Sequence, residues 1–352
     1  MAQVRSRPRI LAIAMELRPT AERLNPTDPF RLQEDGMRIS RVGRYSLTSC
    51  AAAAMLAGCG GSQPPTTVPG TMLQSPRFTL PANSAQLVYV TEYTRSTVLV
   101  YDARARNPQP KEAITIGVNE PSGDCLDGEG TLYVTNSAGW ISEYPKGKRR
   151  PSRIIRKGMG SPAFCAIDSG GNLWVTDAYV ERYYRRSGPC LTEYKQGSKK
   201  PFTIITRGLT NPIGIAIDSV GNIYVANRSG SFGNVVVYPP GKKTPARTIT
   251  DGVTSPIGIG VDANGTLYVA NIFQSNVEKY QTGASDPYET ITQGLNEPVA
   301  VTLNQQGWLY VVNAADSTIT EFSPGSVKPS KRQISKELYA PEGLAYYPPL
   351  LP

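Results

Sequence analysis

The chain contains no histidine. That one absence removes imidazole general bases, Ser–His and Cys–His nucleophile pairs, and histidine metal sites. Carboxylate, lysine and tyrosine chemistry and oxygen-ligated calcium stay open. Cysteine is scarce, with five in 352 residues and no Cys-x-x-Cys pair, so neither a zinc knuckle nor a dithiol redox site is present. No apolar run is long enough for a multi-span membrane protein. Charged residues are only 18% of the chain, below the roughly 25% of ordinary globular domains. What is abundant is turn punctuation. There are 33 glycines and 30 prolines, set among 19 tyrosines and many Val, Ile and Thr residues. This mixture predicts many short strands joined by tight turns.

The N-terminal region reads differently. From Met37 the sequence runs "MRISRVGRYSLTSCAAAAMLAGCGG". Arg38, Arg41 and Arg44 form a basic start, and Tyr45 to Ala57 is an apolar stretch too short to span a bilayer. Leu56-Ala57-Gly58-Cys59 resembles the bacterial lipobox. That resemblance implies acylation of Cys59, export, and anchoring to a membrane. Gly60 rather than Asp follows the cysteine, which implies the periplasmic side of the outer membrane if the host is Gram-negative. The expected organisation is a disordered extension over 1–36 with Met37 as the start, a lipoprotein signal over 37–58, a flexible tether over 59–84, and one folded body over 85–350. The tether expectation rests on its Gly/Pro/Ser/Thr composition and lack of period.

The body is repetitive. "NPIGIAIDSVGNIYVAN" (211–227) and "SPIGIGVDANGTLYVAN" (255–271) share one frame, which returns at 120–136, 161–177 and 297–313 and begins again at "APEGLAYYP" (340–348). The frame prolines are Pro121, Pro162, Pro212, Pro256, Pro298 and Pro341, spaced 41, 50, 44, 42 and 43 residues apart. Each unit holds four strand-like pieces: an apolar run after the proline, a strand after an Asp-x-x-Gly turn, a piece ending in Tyr144, Tyr194, Tyr238, Tyr280 or Phe322, and a short "TIT"-like piece. Four strands per unit of this length is the pattern of a propeller blade. The segment 87–103 lacks a first strand, and "APEGLAYYP" has nothing after one. Together they complete one blade. The expected fold is an all-β, six-bladed propeller with four strands per blade, closed by N- and C-terminal strands sharing a blade. The unit resembles NHL-type propellers, with some likeness to the YVTN repeat ("YVTN", 133–136). The resemblance covers about residues 85–350, and propellers of this kind host many unrelated activities.

In propellers the second-to-third and fourth-to-first loops share one face, where ligands usually bind. Here the second strands end in Glu92, Asn136, Asp177, Asn227, Asn271 and Asn313. They are either oxygen ligands for calcium or a polar substrate, or Asx-type caps of equivalent turns. The longest unit adds "DAYVERYYRRSGPC" (177–190), in which Tyr179, Tyr183, Tyr184, Arg185 and Arg186 suit a sugar, an anionic glycan or a protein partner. Asp124 replaces the apolar residue found at Ile215, Ile259 and Val301, and so brings a carboxylate toward the channel. On the opposite face, five of six third-to-fourth turns carry Lys or Arg, as in "PKGKRRPSR". From Cys59 onward 28 basic and 23 acidic residues remain. These turns either attract anionic headgroups or envelope polysaccharide, or protect outer strand edges. Cys125, Cys165 and Cys190 lie in the exported part. A Cys125–Cys165 bridge between adjacent first strands and a Cys165–Cys190 bridge both remain open.

The expected function is a membrane-tethered, non-catalytic lipoprotein of the bacterial envelope that binds a ligand or a protein. Its partners would be the membrane, through the lipid anchor, and an envelope protein or glycan. It would be a monomer, without nucleic acid and without a required cofactor. The alternative is a calcium-dependent, lactonase-like hydrolase, to which Glu92, Asn136, Asp177 and Asn227 would supply the ligand types. A streptogramin-lyase type of propeller would need a catalytic histidine, which this chain lacks.

Overall fold

The computed structural model describes residues 85–178 and 188–352. The extension, signal and tether, including Cys59, and the loop residues Tyr179, Tyr183, Tyr184, Arg185 and Arg186 lie outside the described residues. The described chain forms six four-stranded antiparallel sheets and no helix. We number the blades from the one that contains residue 87. The innermost strands of the second to sixth blades are Pro121–Leu126, Pro162–Ile167, Pro212–Ile217, Pro256–Val261 and Pro298–Leu303. In the first blade that place is taken by Pro341–Tyr347, which pairs antiparallel with Leu87–Glu92 in the register Leu87↔Tyr347. The ring therefore closes through its own ends, as the repeat count predicts. A short blade cannot bury both faces alone, and closure removes the last exposed one.

Each strand does its part for a local reason. The proline begins the innermost strand, where a missing N–H costs no ladder bond. The Asp-x-x-Gly turn is an Asx turn: Asp127 Oδ1 accepts from the N–H of Glu129 (3.0 Å) and Thr131 (2.8 Å), and Asp168, Asp218 and Asp262 repeat this. Asn304 takes the role in the sixth blade. The innermost strands crowd together near the axis. A β-carbon on Gly258 would lie 2.6 Å from Ala300 Cα, and one on Gly343 would lie 2.7 Å from Gly123 Cα. Only a residue without a side chain permits that approach.

The third-strand aromatic is more than a core filler. Tyr101, Tyr144, Tyr194, Tyr238, Tyr280 and Phe322 are all essentially inaccessible to solvent. Each tyrosine hydroxyl donates to a carbonyl of the preceding blade: Tyr144 to Ile116 (2.8 Å), Tyr194 to Lys157 (2.9 Å), Tyr238 to Arg207 (2.7 Å), Tyr280 to Asp251 (2.7 Å), and Tyr101 across the closure to Lys336 (2.7 Å). Phe322 keeps the ring and lacks the donor. The ring fills the interface, and the hydroxyl satisfies a loop carbonyl there.

Candidate binding face and central channel

The strand directions place the second-to-third and fourth-to-first loops on one face, here called upper, and the remaining turns on the lower face. All six residues of the Glu/Asn/Asp set lie at the upper ends of second strands, and each is tied to the loop that enters its own blade. Asn136 Oδ1 accepts from Asn119 N–H (2.7 Å), Asn227 from Thr210 (3.1 Å), Asn271 from Thr254 (3.1 Å) and Asn313 from Asn296 (3.0 Å). The Nδ2 groups of Asn227 and Asn271 donate to Gly208 O (2.9 Å) and Gly252 O (2.8 Å). The Asp177 carboxylate accepts from Gly160 (2.5 Å) and Ser161 (2.7 Å). Glu92 accepts from Tyr339 (3.0 Å) and Ala340 (3.0 Å), so in the closure blade a longer side chain does the same work. Glu92, Asn136, Asp177 and Asn227 each hold a separate loop through its backbone N–H groups, which fits the turn-capping reading, and no cluster of three or more His, Cys, Asp or Glu side chains forms among the described residues. Repetition in every blade was the sequence signal for this outcome.

Asp124 has a different environment. It is 6% exposed on an innermost strand, and among the described residues no group hydrogen-bonds to either carboxylate oxygen. Burial alone raises its pKa well above the ordinary carboxylate value. The carboxyl reaches toward the closing strand, where Oδ1 lies 2.9 Å from the place a β-carbon on Gly343 would occupy. It lines a channel cavity of about 150 Å³ with Ile215, Ile259, Val301 and Leu344, whose lower side is formed by residues 349–352. Beside it, Cys125 and Cys165 form a disulfide between adjacent innermost strands, with Cα atoms 5.7 Å apart. The Cys165–Cys190 alternative is thereby replaced. Cys190 is buried at the start of Cys190–Tyr194, its sulfur 3.5 Å from Thr192 Oγ1.

Sequence reasoning missed a cluster at the upper mouth of the channel. The hairpin of Ile223–Ser229 and Phe232–Tyr238 is longer than its equivalents. It carries Arg228, which is 6% exposed, donates from Nε to Ser255 Oγ (3.0 Å) and lies 5.3 Å from the Phe273 ring centroid. Glu342, on the closing strand, feels the Arg228 charge. Burial pushes its pKa up to about 8, opposed by Arg228, while burial lowers the Arg228 pKa against the pull of Glu342. No salt bridge joins the two among the described residues. Phe232 (79% exposed) and Phe273 (55% exposed) stand in solvent beside this cluster. The available signal was the departure of 227–233 from the frame and the Glu342 that replaces Ile213, Ile257 and Val299.

The model of a β-propeller repeat family matches residues 202–231. Those residues cover the fourth strand of one blade and the first two of the next. No curated protein sequence matches the chain. Among solved structures, a chain of a nidogen/laminin complex is similar with a TM-score of 0.63 at 19% identity, covering 74% of this chain and 98% of that one. A protein of unknown function from Bacteroides caccae is similar with a TM-score of 0.60 at 13% identity, covering 75% and 99%. Hydrazine synthase of Kuenenia stuttgartiensis gives 0.50 at 12% identity, covering 67% and 72%. These likenesses concern the fold.

Proposed function

We propose that the chain is an exported, lipid-anchored propeller of the NHL type that binds a ligand or a protein on its upper face and catalyses no reaction. The observation that carries this reading is the cluster at the channel mouth. Two exposed phenylalanines stand beside a buried arginine and a glutamate without a salt bridge among the described residues, on a face whose repeated polar ring is engaged in holding loops. Exposed aromatics beside an arginine are the composition of a binding hot spot. The Tyr/Arg-rich sequence between Asp177 and Cys190, which end and begin strands at that face, is included in the proposed surface. Export is supported by the lipobox-like Cys59 and by a disulfide between innermost strands, a bond that persists in oxidising compartments.

The test has two arms. Full-length protein is presented to purified peptidoglycan and to envelope proteins. Retention that is lost in Phe232→Ala/Phe273→Ala or in Tyr183→Ala/Arg185→Ala, with unchanged melting, supports the upper face. Retention unaffected by either variant removes it. Radiolabelled palmitate should enter the wild-type chain and not Cys59→Ala, and equal labelling of both would remove the anchor.

A further inference from the structure

The direction of the first strand decides which face the N-terminal segment joins. Leu87 pairs with Tyr347 and with Asp102. Asp102 opens a third-to-fourth turn, so residue 85 emerges on the lower face. That face is also the basic one. Arg106, Lys148, Arg150, Lys200, Lys243 and Lys328 are exposed on five of its six outer turns, and none has a carboxylate within ion-pair distance among the described residues. Asp127, Asp168, Asp218 and Asp262 cap first-to-second turns nearer the axis; exposed Glu129 lies in one of these turns, Asp286 lies in the outer turn that has no Lys or Arg, and Asp102 and Glu112 on the outer turns are paired with Lys111 and Arg149. The outer rim is therefore cationic. Val220 (71% exposed) and Leu351 (42% exposed) stand on the same side. The upper face mixes the two signs: among its described residues Arg95, Arg156, Lys157, Arg207, Arg228 and Lys336 stand among Glu120, Asp251, Glu297, Asp316, Glu337 and Glu342.

We propose that the lower face docks on an anionic phospholipid surface, holding the upper face away from the membrane. The proposal rests on the lipid-anchored reading for its cellular setting. A segment from Cys59 to residue 85 spans at most about 90 Å, so an anchor alone leaves the propeller free to present any side. The basic rim settles the orientation, because attraction to an anionic surface acts only within about a Debye length, roughly 8–10 Å. The point where the tether joins and the point of strongest attraction coincide on one face.

The experiment uses the full-length Cys59→Ser chain, which cannot be acylated, with vesicles of phosphatidylcholine alone or mixed with phosphatidylglycerol. The chain should sediment with the mixed vesicles, stay in solution with pure phosphatidylcholine, and be released by salt. Arg150→Glu/Lys200→Glu/Lys243→Glu should weaken partitioning at least about ten-fold. Lys157→Glu/Arg207→Glu/Lys336→Glu makes the same change in net charge on the opposite face and should alter partitioning less than about two-fold. Three results would each overturn the proposal: no sedimentation with phosphatidylglycerol, equal losses in the two triple variants, or binding only to a soluble anionic polysaccharide. Palmitate labelling of the wild type reports on acylation separately, so either reading can fail while the other stands.

Discussion

Replacing Asp124 by leucine should make this protein more stable. The two side chains branch at the same atom, so the methyls of the introduced leucine would occupy the places of the two oxygens. Those oxygens are buried beside Gly343 and the aliphatic wall of Ile215, Ile259, Val301 and Leu344, with no hydrogen-bond partner among the described residues. An unsatisfied buried polar group costs about 1–3 kcal/mol, and the apolar replacement removes that cost. For a domain of this size each kcal/mol moves the midpoint by about 2–4 °C. A gain of about 2 kcal/mol therefore predicts a rise of roughly 4–8 °C. Differential scanning calorimetry of the full-length chain reads it directly. The gain should also depend on pH. The folded-state pKa of Asp124 is raised, so the wild type holds its proton more tightly folded than unfolded. That contribution is complete below the unfolded carboxylate value, about 3.9, and is lost as pH rises toward the folded value. Glu342, pushed up to about 8, and Glu321, pushed up to about 7 by burial, add in the same direction. Wild-type melting should fall between pH 5 and pH 8, and Asp124→Leu should fall less. A variant less stable than wild type, or a gain independent of pH, would refute the reasoning and mark the carboxyl as structurally satisfied.

Three further outcomes follow from the geometry. Tyr238→Phe should lose about 1 kcal/mol in urea unfolding, the net worth of one buried hydrogen bond, because the ring stays and only the bond to Arg207 O goes. Cys165→Ser opens a link between residues 40 apart and should cost about 2–4 kcal/mol, matched by a lower melting point of the wild type under reductant. Asn271→Ala, which frees the Thr254 N–H and the Gly252 carbonyl, should cost about 1–2 kcal/mol, while EDTA or added calcium leaves the wild-type melt unmoved. A calcium-dependent rise would return the ring to the metal reading.

The sequence alone determined the architecture. Six proline-led frames, the Asp-x-x-Gly turns and the unmatched pieces at the two ends required a closed ring of six four-stranded blades, because no unit can bury both its faces without neighbours. It also limited the chemistry, since a chain without histidine has no imidazole base, nucleophile partner or metal ligand. Only the tertiary structure decided what each side chain does, because those answers depend on contacts between segments distant in sequence, within and between blades. Glu92 and the Asn/Asp residues could have turned toward the axis or toward their own loops, and the loop N–H groups took them. Cys165 had two possible partners, and the convergence of innermost strands chose Cys125. The tyrosines read as core aromatics, and the ring placed a carbonyl of the preceding blade over each hydroxyl. Arg228 and Glu342 are 114 positions apart in the sequence and feel each other's charge only because the chain closes on itself.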